Sequence, residues 1–411
     1  MKVYERYVES FTSSKVAYFN FDNVQLPVLP VSNLRRSKSL LRRAHVVLTF
    51  IQHFYLHSLP PTDARIIPRP IALPLLTVSA ILKIPPLLTY ADVVLYNWRI
   101  ESETPDRSSS FSVPAPIPVP ASHHDQPHFN HIRSQATFTH APDEEEFYLC
   151  SARIELRGAQ ALSLMRVILD EIFIGDDIAV RRTTKYLSAL ARVIHDMKTL
   201  LEGLKTRCDP DRYYNDVRPW LCGQDADAEG RKWAFEGLFE DGVCTRDAAV
   251  AIAEPTELSG PSAGQSSVIH VLDVFLGVNH ESSDGKPSFM TRMKAYMPHK
   301  HRLFIDHLAS YPRSLREFVM ARQGTREGEL KKAYNEAVKA LKVFRDAHMI
   351  MAALYILGPA RRARDRAAEV ENSKAKEVPE RKPHIGTGGT QLVSFLKDTR
   401  TRTMRTLIPE S

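Results

Sequence analysis

The stretch ELKKAYNEAVKALKVFRDAHMIMAALYIL, residues 329–357, decides how the rest of the chain is read. Leu330, Tyr334, Ala337, Val338, Leu341, Phe344, His348, Ala352 and Tyr355 recur every three or four residues, which predicts one long helix with a single apolar stripe. Lys332, Asn335, Glu336, Lys342 and Asp346 are assigned to the opposite, polar face. His348 falls in the middle of the stripe and points inward, where an imidazole needs a partner. Two partners stay open on the helix alone: a backbone carbonyl in an ordinary core, or a metal such as iron.

Outward from this helix the chain is helical almost without interruption past Phe147. Helices are predicted at 147–158, 162–172, 177–207, 266–276, 289–296, 299–310 and 315–321, with strand-like alternation nearly absent. Nearer the start, proline punctuates short apolar helices. One runs from Ala44 to Leu59 and is stopped by Pro60-Pro61. A second runs from Pro74 to Leu82 and is stopped by Pro85-Pro86; a third runs from Tyr90 to Trp98.

From Glu101 to about Ala136 the composition turns to Ser, Pro, His and Asp, with Pro114, Pro116, Pro118 and Pro120 alternating. That predicts an extended or disordered linker or insertion. His123, His124, His128 and His131 lie in it with no supporting helix or strand. A charged segment from Arg361 to Lys382 reads as a flexible connector. It leads to Gly386-Thr387-Gly388-Gly389-Thr390 and a last helix from Gln391 to about Leu407. The expected fold is mainly α: a small, mostly helical N-terminal domain, residues 1–136, and a large all-helical domain, residues 137–411, with a flexible loop at about 361–390.

The chain has 411 residues, 43% hydrophobic and 25% charged, with a net charge of +7. Two domains are the default at that length. The basic runs at Arg35-Arg36, Arg42-Arg43 and Arg361-Arg362 are local and carry no interleaved aromatics, which argues against nucleic acid. Cys150, Cys208, Cys222 and Cys244 form neither a disulfide framework nor a Cys-x-x-Cys pair. No apolar core follows Met1-Lys2-Val3, and Lys83, Pro85 and Pro86 break the most hydrophobic region below membrane-spanning length. A soluble, cytoplasmic protein without membrane partners is expected.

Four segments could carry chemistry. Ser262-Ala263-Gly264-Gln265-Ser266-Ser267 is a small-residue loop opening onto a helix. It lets backbone approach a ligand closely but lacks the Gly-Lys-Ser/Thr of a phosphate loop. A plain helix cap is the simpler reading. In Arg212-Tyr213-Tyr214-Asn215-Asp216-Val217-Arg218-Pro219-Trp220, one turn of helix can set a ring and a guanidinium over one cavity, and arginine suits a carboxylate ligand. An ordinary salt bridge is the alternative. The Gly386–Thr390 stretch reads as a mobile lid or a plain linker. Asp273 and Arg345 could form a buried pair orienting the His348 helix, or be unrelated surface charges.

Taken together these segments resemble an indoleamine 2,3-dioxygenase of the fungal type. The resemblance runs from about Arg42 onward. It is carried by Thr89 to Trp98, Phe147 to Ser151, Asn215 to Pro219, Ser262 to Ser267, Met293 to Pro298, Arg345 to His348 and Gly386 to Thr390. It implies a small domain covering the distal side of a large all-helical domain that holds haem b. His348 matches the proximal iron ligand, which explains an imidazole on an apolar stripe. Arg345, paired with Asp273, matches a residue near a haem propionate. Tyr90, Phe147, Tyr148 and Tyr213 match the substrate pocket, and Ser151 a distal hydroxyl near the oxygen. Arg218 matches the grip on the substrate carboxylate, and Thr387 a lid loop. Ser262, Ala263 and Gly264 match the loop over the haem edge.

The implied reaction inserts O2 across the indole C2–C3 bond of L-tryptophan, giving N-formylkynurenine, the first step of a kynurenine route to NAD. The implied partners are L-tryptophan or a related indoleamine, O2 and an electron donor that keeps the iron ferrous, with the protein a monomer. The chain departs from the family pattern at Tyr213 (usually phenylalanine), at Pro261 (usually glycine), at Thr137 to Ala141 and at Cys222 (often serine). Two competing readings are an oxygen-binding haem protein of the same fold and a helical interaction protein without haem. The carboxylate clamp at Arg218 speaks against the first; His348, Arg345 and Asp273 together speak against the second.

Overall fold

The structure, a computed structural model, describes residues 27–101, 131–227, 229–237, 257–281, 285, 287–322, 327–372 and 392–409. Helix α1, Lys38–Ser58, starts where the Ser37 hydroxyl accepts from Leu40 N–H at 3.4 Å, and ends just before Pro60-Pro61. Strand β1, Ile66–Ile67, leads into helix α2, Arg69–Leu82. This helix begins ahead of the expected Pro74, because Pro70 sits in the first turn, where a missing N–H costs nothing; Pro74 then rides inside.

The helix expected at 90–98 is not formed. A π-helical turn, Ala91–Leu95, gives way to strand β2, Trp98–Ile100, which pairs antiparallel with β3, Ile132–Ser134, in the register Trp98 to Ser134. The side chain of Asn97 fixes the junction: its amide donates to Ala136 O at 2.8 Å and its Oδ1 accepts from Ala136 N at 2.9 Å. The far end of the proline-rich segment, expected to be extended or disordered to Ala136, is therefore a paired strand. His123, His124 and His128 lie outside the described residues.

Helix α3, Pro142–Ile174, replaces the two helices predicted at 147–158 and 162–172. Gly158 is no break. It lets α3 come close to its neighbour, since a Cβ there would stand 2.5 Å from Val268 Cγ1. Gly175, at φ 71°, ends the helix. Helix α4, Asp177–Gly203, is capped by Asp176, which accepts from Ala179 N–H at 2.7 Å. Strand β4, Ala234–Phe235, pairs in parallel with β1. Helices α5 (Ser267–Leu276), α6 (Phe289–Lys294), α7 (His299–Ala309) and α8 (Leu315–Met320) match their predicted spans to within a few residues.

The decisive helix, α9, spans Glu327–Ala352 and continues as a π-helical turn, Ala353–Leu357. Every stripe residue is buried except His348, which opens onto a cavity. Asn335 corrects the expected polar face. It is buried, and its side chain pairs with the backbone of Ile408 (Nδ2 to O at 2.9 Å, N to Oδ1 at 3.0 Å), which pins the C-terminal segment. Helix α10, Gly358–Asn372, overturns the expected connector over its first half. Its alanines, arginines and glutamates are good helix formers that simply continue the preceding turn. The end of that segment, with Gly386 to Thr390, lies outside the described residues. Helix α11, Leu392–Arg405, closes the chain.

α3 and α9 both pack along α4, and α11 packs on α9, around the larger core. A second core joins α1 and α2 to Trp233, Phe235, Leu258, Met293 and Tyr296, so elements far apart in sequence share it. The fold is mainly α. Among the described residues, no helix is long and apolar enough to cross a membrane.

Candidate active site

One cavity gathers most of the residues singled out by sequence. Tyr90, Phe147, Tyr148, Ser151, Tyr213, Ser262, Ala263, Gly264, Arg345 and His348 all line it. Its empty space, the open mouth included, is about 1620 Å³. Arg218 is not part of the lining; its guanidinium carbon lies 5.4 Å from the ring centroid of Tyr214. Asp273 stands behind Arg345, and Thr387 lies outside the described residues.

His348 comes from α9 with Phe344 and Arg345 one turn before it. Among the described residues its imidazole has no hydrogen-bond partner. Burial, helped by the charge of Arg345, lowers its pKa to about 4, so the ring is a neutral nitrogen donor. Arg345 is held hard. Its guanidinium donates to both Asp273 oxygens, at 2.6 and 2.7 Å, and also to the Thr403 hydroxyl. His280 donates to Asp273 Oδ2 at 2.7 Å from the other side. Burial alone would raise the Asp273 pKa, but Arg345 and His280 hold it below the ordinary carboxylate range.

The opposite wall comes from α3, whose residues Phe147, Tyr148 and Ser151 share one face. Behind that wall, one further turn along, Glu155 Oε1 accepts from the Tyr90 hydroxyl at 3.0 Å and from Ser266 Oγ at 2.5 Å. Burial raises its pKa against those hydrogen bonds. Glu144, also buried, accepts from the Tyr148 hydroxyl at 2.8 Å and from the Phe138 and Thr139 amides at 2.6 and 2.7 Å. These carboxyls fix the rings of the wall. Sequence reasoning missed both, although the four-residue spacing Phe147, Ser151, Glu155 put Glu155 on the same side of the helix as two of the singled-out residues.

The small-residue loop closes a third side. Ser262 caps a short turn by accepting from Gly264 N–H at 3.2 Å, and Gly264 packs so closely that a Cβ would lie 2.8 Å from Phe289 Cε1. Gln265 ties the loop across to the distal wall, accepting from Tyr90 N–H at 2.8 Å. His270 donates to Gly264 O at 2.8 Å. The segment after Arg218 is held from α1: His53 donates to Trp220 O and His57 to Cys222 O, each at 2.9 Å. Sequence reasoning missed these histidines, which share a face at a four-residue spacing.

Three π-helical turns border the cavity. Val93 and Val94 come from Ala91–Leu95, Tyr213 from Tyr213–Val217, and Tyr355 and Ile356 from Ala353–Leu357. Such turns gather at functional sites because they push side chains out of ordinary helical register.

The residues present fit a haem. The imidazole of His348 would hold the iron, the lining is largely apolar, and Arg345, fixed by Asp273, offers a cation to an anionic group of the cofactor. Among the described residues, no three His, Cys, Asp or Glu side chains are grouped to hold a bare ion.

A sequence model of the indoleamine 2,3-dioxygenase family matches residues 12–406. The chain is 30% identical to indoleamine 2,3-dioxygenase of Saccharomyces cerevisiae over 89% of its length and 78% of that protein. It is 29% identical to indoleamine 2,3-dioxygenase 1 of Rattus norvegicus, covering 93% of this chain and 84% of the relative. It is 30% identical to indoleamine 2,3-dioxygenase nanC of Aspergillus nanangensis, covering 92% and 84%.

Proposed function

The chain belongs to the indoleamine 2,3-dioxygenase family, and from that premise we propose that it uses haem b to insert both atoms of O2 across the indole C2–C3 bond of L-tryptophan. The product is N-formyl-L-kynurenine, the first intermediate of a kynurenine route to NAD. The observation that carries the reading is the imidazole of His348, which has no hydrogen-bond partner among the described residues and lines an apolar cavity shared with Tyr90, Phe147 and Tyr148. Bound haem would supply the iron at which O2 is activated.

The chain's own groups do the rest by position. His348 would hold the haem iron, and Arg345, immobilised by Asp273, would pair with an anionic group of the cofactor. Ser262, Ala263 and Gly264 cover it and exclude water. Tyr90, Phe147, Tyr148 and Tyr213 confine a flat indole, and Ser151 offers a hydroxyl on the oxygen side. Arg218 takes the substrate carboxylate, and Thr387, outside the described residues, is the candidate for the amino-acid end. No side chain is needed to abstract a proton, and the Glu155 carboxyl, engaged by Tyr90 and Ser266, shapes the wall instead. The main contribution is orientation of two reactants in a dry site. An external electron donor keeps the iron ferrous, and the protein works as a cytoplasmic monomer.

The test is turnover of L-tryptophan by haem-loaded protein with ascorbate and methylene blue, followed as N-formylkynurenine. A protein that shows a Soret band and binds O2 but yields no product would be an oxygen-binding haem protein instead.

A further inference from the structure

Behind the cavity, the polar contacts of Arg345 close into a ring. Its guanidinium, on α9, donates from Nη2 to both oxygens of Asp273 on α5, at 2.6 and 2.7 Å, and from Nη1 to the Thr403 hydroxyl on α11. Thr403 donates in turn to Thr399 O at 2.8 Å, which leaves its lone pairs for the arginine. One residue earlier on α11, Arg402 donates to the carbonyls of Asn279 and Glu281, at 3.3 and 2.7 Å. Between those two residues stands His280, whose Nε2 lies 2.7 Å from Asp273 Oδ2. The ring therefore joins α5, its following loop, α9 and α11.

His280 is the member that fixes the carboxylate. Arg345 reaches both Asp273 oxygens from a single nitrogen, so the pair lacks the two parallel bonds that would lock guanidinium and carboxylate in one plane. An ionised carboxylate only accepts, so the imidazole is the donor, and its bond is charge-assisted. Bulk water cannot stand in for it, because the Asp273 side chain is 3% exposed, against 15% for His280. The chain is built to deliver this ring. Gly277, at φ 80°, ends α5, and Val278 N–H donates back to Asp273 O at 2.8 Å. The Asn279 side chain then accepts from Glu281 N–H at 2.7 Å, closing a tight turn around His280. Arg345 itself lines the cavity, and no described residue engages its remaining N–H donors. Whatever fixes Asp273 also fixes the direction those donors take.

We propose that His280 is a positioning residue for the cofactor: by holding Asp273 it aims Arg345 at an anionic group of bound haem and slows haem loss. This rests on the reading of the cavity as a haem site. His280 does not line the cavity and acts only through the pair in front of it.

The experiment measures haem release from holoenzyme into excess apomyoglobin, for the wild type, His280→Leu and His280→Gln. Leucine removes the donor, and glutamine keeps an N–H of similar reach. Loss of one charge-assisted hydrogen bond is expected to speed release about tenfold in His280→Leu, and His280→Gln should recover most of it. Equal release from all three overturns the proposal. So does equal acceleration in both variants, which would make His280 a packing residue only. Should His280→Leu fail to fold, His280→Asn, whose amide is too short to reach Asp273, takes its place. In the Arg345→Met, Asp273→Leu background there is no carboxylate to hold, and His280→Leu should change release no further; a second acceleration there would also overturn the route through Arg345. A wild type that takes up no haem overturns the haem reading together with this role. A wild type that holds haem at a rate the variants share overturns the role alone.

Discussion

Asp273 holds Arg345 through both carboxylate oxygens, at 2.6 and 2.7 Å, one turn of helix ahead of His348. Both partners are buried, so each charge depends on the other. Removing one side of such a pair costs about 3–5 kcal/mol, because the remaining charge is left in a poorly polar surrounding. Arg345→Ala should therefore lower stability by about that amount, measured by urea unfolding. The matched double variant Arg345→Met, Asp273→Leu should recover most of it. A single variant as stable as the parent would remove the pair from any structural role.

Among the described residues, no hydrogen bond holds the His348 ring. His348→Ala is accordingly expected to keep the far-ultraviolet circular dichroism of the parent and to lose its Soret absorbance. Added imidazole should restore part of that absorbance by filling the space left. An intact Soret band in the unsupplemented variant would assign the iron to another ligand.

Arg218 lies beside the cavity without lining it. Arg218→Ala should raise KM for tryptophan by at least tenfold, about the loss of one charge-assisted hydrogen bond. Haem content should stay at the parent level. Unchanged KM in steady-state kinetics would separate Arg218 from the substrate.

Gly158 sets the distance between α3 and α5. Gly158→Ala places a methyl 2.5 Å from Val268 Cγ1, a crowding expected to cost about 1–3 kcal/mol. Val268→Ala should rescue it, giving a coupling energy in a thermal double-mutant cycle. Simple additivity of the two substitutions would show that the helices do not meet there.

Acid should weaken the fold through three buried histidines. Burial lowers His53 to a pKa of about 3 and His57 and His270 to about 4, against 6.5 for a free ring. Between 6.5 and about 4 the unfolded chain binds protons that the folded chain does not, so stability is present above that window and lost as pH falls through it. Each histidine adds a slope on the order of 1.4 kcal/mol per pH unit. His57→Asn, which keeps a donor for Cys222 O, should flatten the dependence of Tm on pH by one proton's share. An unaltered profile would show His57 to be exposed in solution.

The long helix and its histidine were legible because a 3.6-residue period persists over many turns, leaving no other arrangement for Leu330, Tyr334, Leu341 and His348. Asn335 was misread because its burial comes from the Ile408 backbone, a contact distant in sequence. The same holds for Asn97, whose pairing with Ala136 turns a helical pattern into a strand. Composition misjudged α10, where charge density suggested a connector although the residues are strong helix formers. At the cavity, residue types with an obvious chemistry were found, among them His348, Arg345 and Ser151. Glu155 and Glu144 were not, because their partners are hydroxyls and amides brought in from other segments.

The π-helical turns have a consequence for counting. Each is a stretch of helix with one residue beyond what an α-helix of that rise would hold. Deleting a single residue from Ala353–Leu357 would let α9 and α10 run in one phase. The turn absorbs that extra residue, so α10 beyond it would keep its phase. Tyr355 and Ile356, within the turn, would lose their present aim at the cavity, and His348, upstream of the change, would keep its own. The shape of the pocket is thus encoded partly in residue number, so that a length change of one alters it without touching any side chain in the wall.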